Sequence, residues 1–122
     1  MATKNNLSIF ALPLLILQLL VPTTSANAQS GVASVYGSGD GYGGKRTASG
    51  ERVNPGSLTA AHRSFPFGTK VKVMNRKNGR SIVVRINDRG PFVRGRVIDV
   101  TQAGARALGF SGTAPVTLAV LR

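Results

Sequence analysis

Four acidic side chains, Asp40, Glu51, Asp88 and Asp99, stand against sixteen Lys and Arg in this chain. Two of them sit where a carboxylate can do chemistry. Glu51 closes the run Thr47-Ala48-Ser49-Gly50-Glu51, at the end of a glycine-rich stretch. Asp88 lies in Asn87-Asp88-Arg89-Gly90-Pro91-Phe92, directly after a β-branched run. A carboxylate leaving a strand end has a rigid base and an open face, which a positioned acid requires. Cleavage of a glycosidic bond commonly uses two carboxyl groups, one protonating the leaving oxygen and one supporting the developing cation. Each residue also has a plainer reading. Asp88 before Arg-Gly-Pro suits an ordinary turn closed by an Asx hydrogen bond. Glu51 suits a solvated loop charge. His62, in Leu58-Thr59-Ala60-Ala61-His62, suits a hydrogen-bonded structural histidine. Asp99, flanked by Val97, Ile98 and Val100, reads as structural, pairing with an arginine or supporting the start of a following helix.

Other reaction classes are excluded by residue type. There is no cysteine, hence no thiol nucleophile and no disulfide. One histidine and four scattered acids do not make a zinc site, which needs three or four ligands. No serine sits in a G-x-S-x-G turn, and no G-x-x-x-x-G-K-[ST] phosphate loop is present. No metal and no cofactor are expected.

The elements that must position these residues are mostly strands. Ala33 to Tyr36 suggests a first short strand. Gly37 to Gly50 contains six glycines and reads as a loop, because glycine carries a high entropy cost in regular elements; a loop this long is usually functional or disordered. Lys70 to Met74 alternates with period two, and Ser81 to Ile86 is more continuously apolar, as if buried on both faces. Asn78-Gly79 between them predicts a hairpin with a type I′ turn. Arg96 to Val100 reads as another strand. Thr101 then caps a short helix over Gln102 to Leu108, which Gly109 ends and Gly104 weakens. Val116 to Leu121 is the last strand. Short strands with one small helix imply a closed all-β architecture.

Ahead of these elements, Lys4, the apolar run Leu7–Val21 and the small-x-small ending Ala26-Asn27-Ala28 describe a secretory leader cleaved after Ala28. The run of 15 residues is short for a membrane span, which needs about 20. No cysteine follows it to carry a lipid, so no stable membrane anchor is expected. The organisation is then a leader over 1–28 and one domain over 29–122. Loss of Lys4 alone takes the formal charge from +12 to +11. Such a charge favours a polyanionic partner; export argues against nucleic acid and for envelope polymers. Nothing in the residues fixes an oligomeric state.

The blocks Ala33-Ser34-Val35-Tyr36-Gly37, Thr47 to Glu51, Leu58 to His62, Pro66-Phe67-Gly68-Thr69, Val84 to Phe92 and Arg96 to Val100 follow one another in an order and spacing that resembles the rare lipoprotein A family of endolytic peptidoglycan lytic transglycosylases. The resemblance runs from Gly31 to about Leu121. It implies a six-stranded double-psi β-barrel with one or two short helices, as in the corresponding domain of expansins. It implies cleavage between N-acetylmuramic acid and N-acetylglucosamine by attack of the muramic acid C6 hydroxyl on C1, leaving a 1,6-anhydro end in the periplasm or cell envelope. It places catalytic residues on Asp88, Glu51 and His62, with Asp88 the acid and the roles of the two carboxylates open to exchange, and sugar contacts on Tyr36, Asn87, Arg89 and Phe92. Glycan strands are the implied partner. Val35 stands where many members carry an aromatic residue, and the lipidated cysteine of the family name is absent. A non-catalytic, expansin-like wall-binding module is the alternative.

Overall fold

The computed structural model describes residues 28–36 and 41–122. Residues 1–27, which hold the expected leader up to Asn27, and residues 37–40 lie outside the described residues. Among those described, no helix is long and apolar enough to cross a membrane.

Six strands close into a barrel: β1 (Gln29–Tyr36), β2 (Thr59–Ala61), β3 (Lys70–Asn75), β4 (Ser81–Asp88), β5 (Arg96–Thr101) and β6 (Thr113–Val120), in the spatial order β1-β5-β2-β4-β3-β6. The pairs β1·β5 and β2·β4 are parallel, and the other pairings are antiparallel. This is the expected double-psi β-barrel, with one helix among the described residues, α1 (Gln102–Leu108), packed on it. The interior is filled by alternate residues of every strand, among them Ala33, Ala60, Val73, Ile86, Ile98, Val100 and Leu118, all 0% exposed. Burying a Val, Ile or Leu side chain contributes about 1.5–3 kcal/mol, so this single layer supplies the driving force that a chain without disulfides needs.

The hairpin forms as predicted, with Val71 opposite Val84 and Val73 opposite Ile82. Its turn is not type I′. Gly79 alone in the turn is left-handed, at φ 76°, and among the described residues no non-glycine residue has a positive φ. The loop is longer, closed by Asn75 N–H to Arg80 O at 2.8 Å and Gly79 N–H to Asn75 O at 2.8 Å. The Asn78 side chain is used instead: its Nδ2 donates to Leu108 O at 2.9 Å, and its Oδ1 accepts from Arg80 N at 2.9 Å.

β4 is not buried on both faces throughout. Val83 is 43% exposed, because the outer face of its first half has nothing over it. The two faces become buried together only at Ile86 and Asn87. There the register with β2 slips, Ala60 pairing with Ile86 and Ala61 with Asp88, so Asn87 is an inserted residue. Such a bulge turns the following side chain, and that side chain is Asp88, the last residue of the strand and not, as expected, the first of the loop. Elsewhere β1 begins earlier than the sequence implied, because Gln29 to Ser34 pair with β6, which itself begins at Thr113. β2, three residues long, carries no periodicity to read. The helix has its expected ends: Thr101 accepts from Gly104 N, and Gly109 is left-handed at φ 76°. Gly104 is buried where an added Cβ would lie 3.2 Å from Val100 Cβ, so the residue that weakens the helix also lets it approach the barrel.

Candidate active site

A groove of about 280 Å³ runs over β1, β5, β2 and β4 beneath the segment after β4, and Tyr36, Asp88, Arg89, Phe92, Arg96 and Asp99 are among the residues that line it. It lies on the outer face of these strands. Ile98 and Val100 point into the core, so Asp99 between them points away from it. Its volume is at the small end for ligand sites, but an open groove needs to hold only part of a polymer.

Asp88 is fixed at one oxygen. Oδ1 accepts from Ala48 N at 2.9 Å and from Arg89 N at 2.8 Å. Among the described residues Oδ2 accepts no hydrogen bond. The Thr47–Glu51 loop therefore reaches the site through its backbone, anchored also by Ser49 N–H to Asn87 O at 3.3 Å. Glu51 itself is outside the groove lining. Its two oxygens accept from the two terminal nitrogens of Arg85, Nη2 to Oε2 at 2.9 Å. The Arg85 guanidinium holds the Glu51 carboxyl below its ordinary range, with a smaller contribution from Asn87, and Glu51 in turn raises Arg85. Both side chains are half exposed, so solvent screens the pair and it adds little to stability. Glu51 is thus an ionised brace on β4.

His62 is also outside the groove. It is 3% exposed. Its Nδ1 accepts from Ser64 N at 3.1 Å and Phe65 N at 3.0 Å, and its Nε2 lies 3.0 Å from Gln29 Oε1. Two backbone donors on Nδ1 require that nitrogen to be unprotonated, so Nε2 carries the hydrogen and donates it to Gln29. Burial, then Arg89 and Arg63, lower its pKa and favour this neutral form. The ring stacks on Phe65, centroids 3.6 Å apart. The turn it shapes presents two carbonyls, His62 O and Phe65 O, to Arg89 Nη1 at 3.2 and 2.8 Å. Arg89 also lies over the Phe67 ring at 4.1 Å. From the same turn Arg63 donates to Pro91 O at 2.6 Å and Val93 O at 3.1 Å. Two arginines therefore lace the turn after β2 to the segment after β4, which begins next to Asp88.

Of the residues expected at the sugar, Tyr36, Arg89 and Phe92 line the groove and Asn87 does not. Phe92 is 78% exposed, an aromatic face in solvent. Tyr36 is buried, and burial is the main cause pushing its phenol up to about 12, with smaller contributions from Asp88 and Asp99. Thr59 beside that hydroxyl acts in the opposite direction, though without hydrogen-bond geometry. Tyr36 Oη and Asn87 Oδ1 are buried without a partner among the described residues. Among the other lining residues, Tyr42 and Arg96 were not expected at the site, and Asp99 was expected to be structural. For Asp99 a signal existed: a lone acid alternating with core residues lies on the face opposite the core.

Comparison with known proteins agrees with this architecture. The profile of the family described as lytic transglycolase matches residues 28–118. A probable endolytic peptidoglycan transglycosylase RlpA of Nostoc sp. is 64% identical over 93 residues, covering 75% of this chain and 25% of that protein. The endolytic peptidoglycan transglycosylase RlpA of Campylobacter jejuni is 46% identical over 104 residues, covering 82% of this chain and 37% of that one. The chain thus spans well under half the length of these curated relatives. Among solved structures, the expansin of Clavibacter michiganensis superposes with a TM-score of 0.61 at 23% identity, covering 78% of this chain and 50% of the expansin. A Streptomyces papain inhibitor superposes at 0.59 with 22% identity, covering 83% and 100%. These two share the fold. The chain belongs to the lytic transglycolase family and carries its double-psi β-barrel domain.

Proposed function

We propose that residues 29–122 act as an endolytic peptidoglycan lytic transglycosylase in the periplasm or cell envelope, delivered there by the leader over residues 1–28. One observation carries the reading: in a chain of this family, Asp88 stands in an open aromatic-edged groove with one oxygen pinned by two backbone N–H groups and the other left to react. The substrate is the glycan strand. Oδ2 of protonated Asp88 gives its proton to the oxygen leaving C1 of N-acetylmuramic acid as the C1–O bond breaks. The C6 hydroxyl attacks C1, and its proton passes to the Asp88 carboxylate as the C1–O6 bond forms. The acid is regenerated and no water is consumed. Asp88, rather than Glu51, is the acid, because Arg85 keeps Glu51 ionised. Glu51 and His62 act at a distance, Glu51 by holding the loop that donates to Asp88 and His62 by shaping the turn that clamps Arg89. Phe92 offers its face to a sugar ring.

The test is incubation of the mature protein with purified sacculi, with products read by mass spectrometry. Wild type should release 1,6-anhydromuropeptides. Asp88→Asn should fold, still sediment with sacculi and lose at least about 10²-fold in release, the usual loss when a general acid is removed. Glu51→Gln should be impaired less. Full activity in Asp88→Asn would overturn the assignment, and binding without cleavage by wild type would make the barrel an expansin-like binder.

A further inference from the structure

We propose that Asp99 is the second carboxylate of this site, facing Asp88 across the scissile bond and supporting the positive charge that develops at C1. The inference rests on the transglycosylase reading above. It starts from register. Ala61 of β2 pairs with Asp88 on one side and with Asp99 on the other. Residues in register on adjacent strands share a face, so the two carboxylates rise from the same surface with only a methyl group between them. Two strand spacings put their backbones about 10 Å apart. Side chains leaning inward over Ala61 bring the carboxyl groups into the roughly 5–9.5 Å range of glycosidase pairs. Both residues line the groove, and both act on the phenol of Tyr36, which also lines it. Glu51, the second carboxylate suggested by the sequence, does not line it and is occupied by Arg85.

Asp99 is also built to stay in place. Its partner across β1·β5 is Ser34, 5% exposed, whose hydroxyl donates to Asp99 Oδ1. That bond orients the carboxylate without neutralising it. Asp99 takes no proton in the reaction: the transfers between the C6 hydroxyl, Asp88 and the leaving oxygen already balance. Its part is electrostatic, a negative charge fixed beside the carbon that becomes cationic, a kind of stabilisation whose removal costs on the order of 10²-fold in kcat.

The two carboxylates are separated by leaving group. Kinetics would be measured on glycan strands and on a 4-nitrophenyl β-glycoside of a GlcNAc-MurNAc disaccharide, whose leaving group needs no acid. On glycan strands, Asp99→Asn, which keeps an acceptor for Ser34, should fall about 10²-fold in kcat with KM and thermal stability unchanged. On the aryl glycoside, Asp88→Asn should recover the part of its loss that comes from protonating the leaving oxygen, though not the part that comes from accepting the C6 hydroxyl proton, and Asp99→Asn should recover none. If Asp99→Asn does not fold, Asp99→Glu serves: it keeps the charge, moves it by a methylene and should lose at least about tenfold, since misplacement by ~1 Å is already costly. Activity of a folded Asp99 variant within about twofold of wild type on glycan strands overturns the inference and leaves the transglycosylase reading standing. A wild type that releases no anhydro product overturns both.

Discussion

Asp88, Arg89 and His62 are each held in place through a neighbour. Asp88 keeps one oxygen because two backbone N–H groups hold the other. Arg89 beside it is held by carbonyls of the turn that His62 organises. His62 can organise that turn only while Nδ1 is bare, since a protonated Nδ1 would face two N–H donors. Its folded pKa lies below the ordinary 6.5, chiefly through burial. The unfolded chain therefore takes up this proton first, and the stabilisation is complete above pH 6.5 and declines as pH falls toward the folded pKa. Glu51, also lowered, contributes in a separate window, above its ordinary 4.5 and lost below it. Because the chain has one histidine, the prediction is clean: the melting temperature should drop between pH 7.5 and 5.5, and the imidazole should titrate by NMR below 6.5. In His62→Gln the drop over that interval should flatten. A melting temperature that rises on acidification through this window would contradict the buried neutral ring.

At the scale of elements, local chemistry was legible and partnership was not. The alternating Lys70–Met74 run and the Thr101 and Gly109 caps could be read because each depends on neighbours in the chain. The hairpin was read correctly for a partly wrong reason. Asn-Gly suggested two left-handed residues, but the chain uses Gly79 alone, and Asn78 instead bonds to the end of α1 at Leu108 O, which Asn75 Nδ2 also reaches at 2.9 Å. The turn thereby satisfies a carbonyl that a helix C-terminus leaves open. Asn78→Val should then cost about 1 kcal/mol through lost hydrogen bonds, and Gly79→Ala about 1–2 kcal/mol through its φ. In a domain of this size each kcal/mol corresponds to a fall of roughly 4–8 °C in Tm. A Gly79→Ala variant that melts with wild type would show that the turn relaxes freely; an unaffected Asn78→Val would show that the contact with α1 contributes nothing. β2 was invisible for the opposite reason: three residues buried on all sides carry no period, and they form a strand only because β4 and β5 flank them.

The whole molecule joins segments distant in sequence, and Asp99 is a case in point. Its place beside Asp88 depends on β2 lying between β4 and β5, a relation that no local pattern encodes. Ile98 and Val100 gave its face but not its neighbour. Charge, by contrast, needs no topology to be read. The chain carries +12, or +11 once the proposed leader with Lys4 is removed, and among the described residues Arg89 and Arg96 bring part of that charge to the groove. Under the proposed function, two kinds of attraction to a glycan strand act together. Long-range attraction to wall carboxylates and phosphates is screened beyond about 10 Å at 0.1 M salt and about 3 Å at 1 M. Contact of a sugar with Phe92 is short-ranged and insensitive to salt. Sedimentation with isolated sacculi should separate them: most binding should be lost between 0.05 and about 1 M salt, and the remainder should disappear in Phe92→Ala. Binding undiminished at high salt would place the affinity in the groove rather than in the field around it. Binding equally weak in wild type and Phe92→Ala at every salt would remove the aromatic edge from the substrate path and leave the carboxylates of the groove without a sugar held against them.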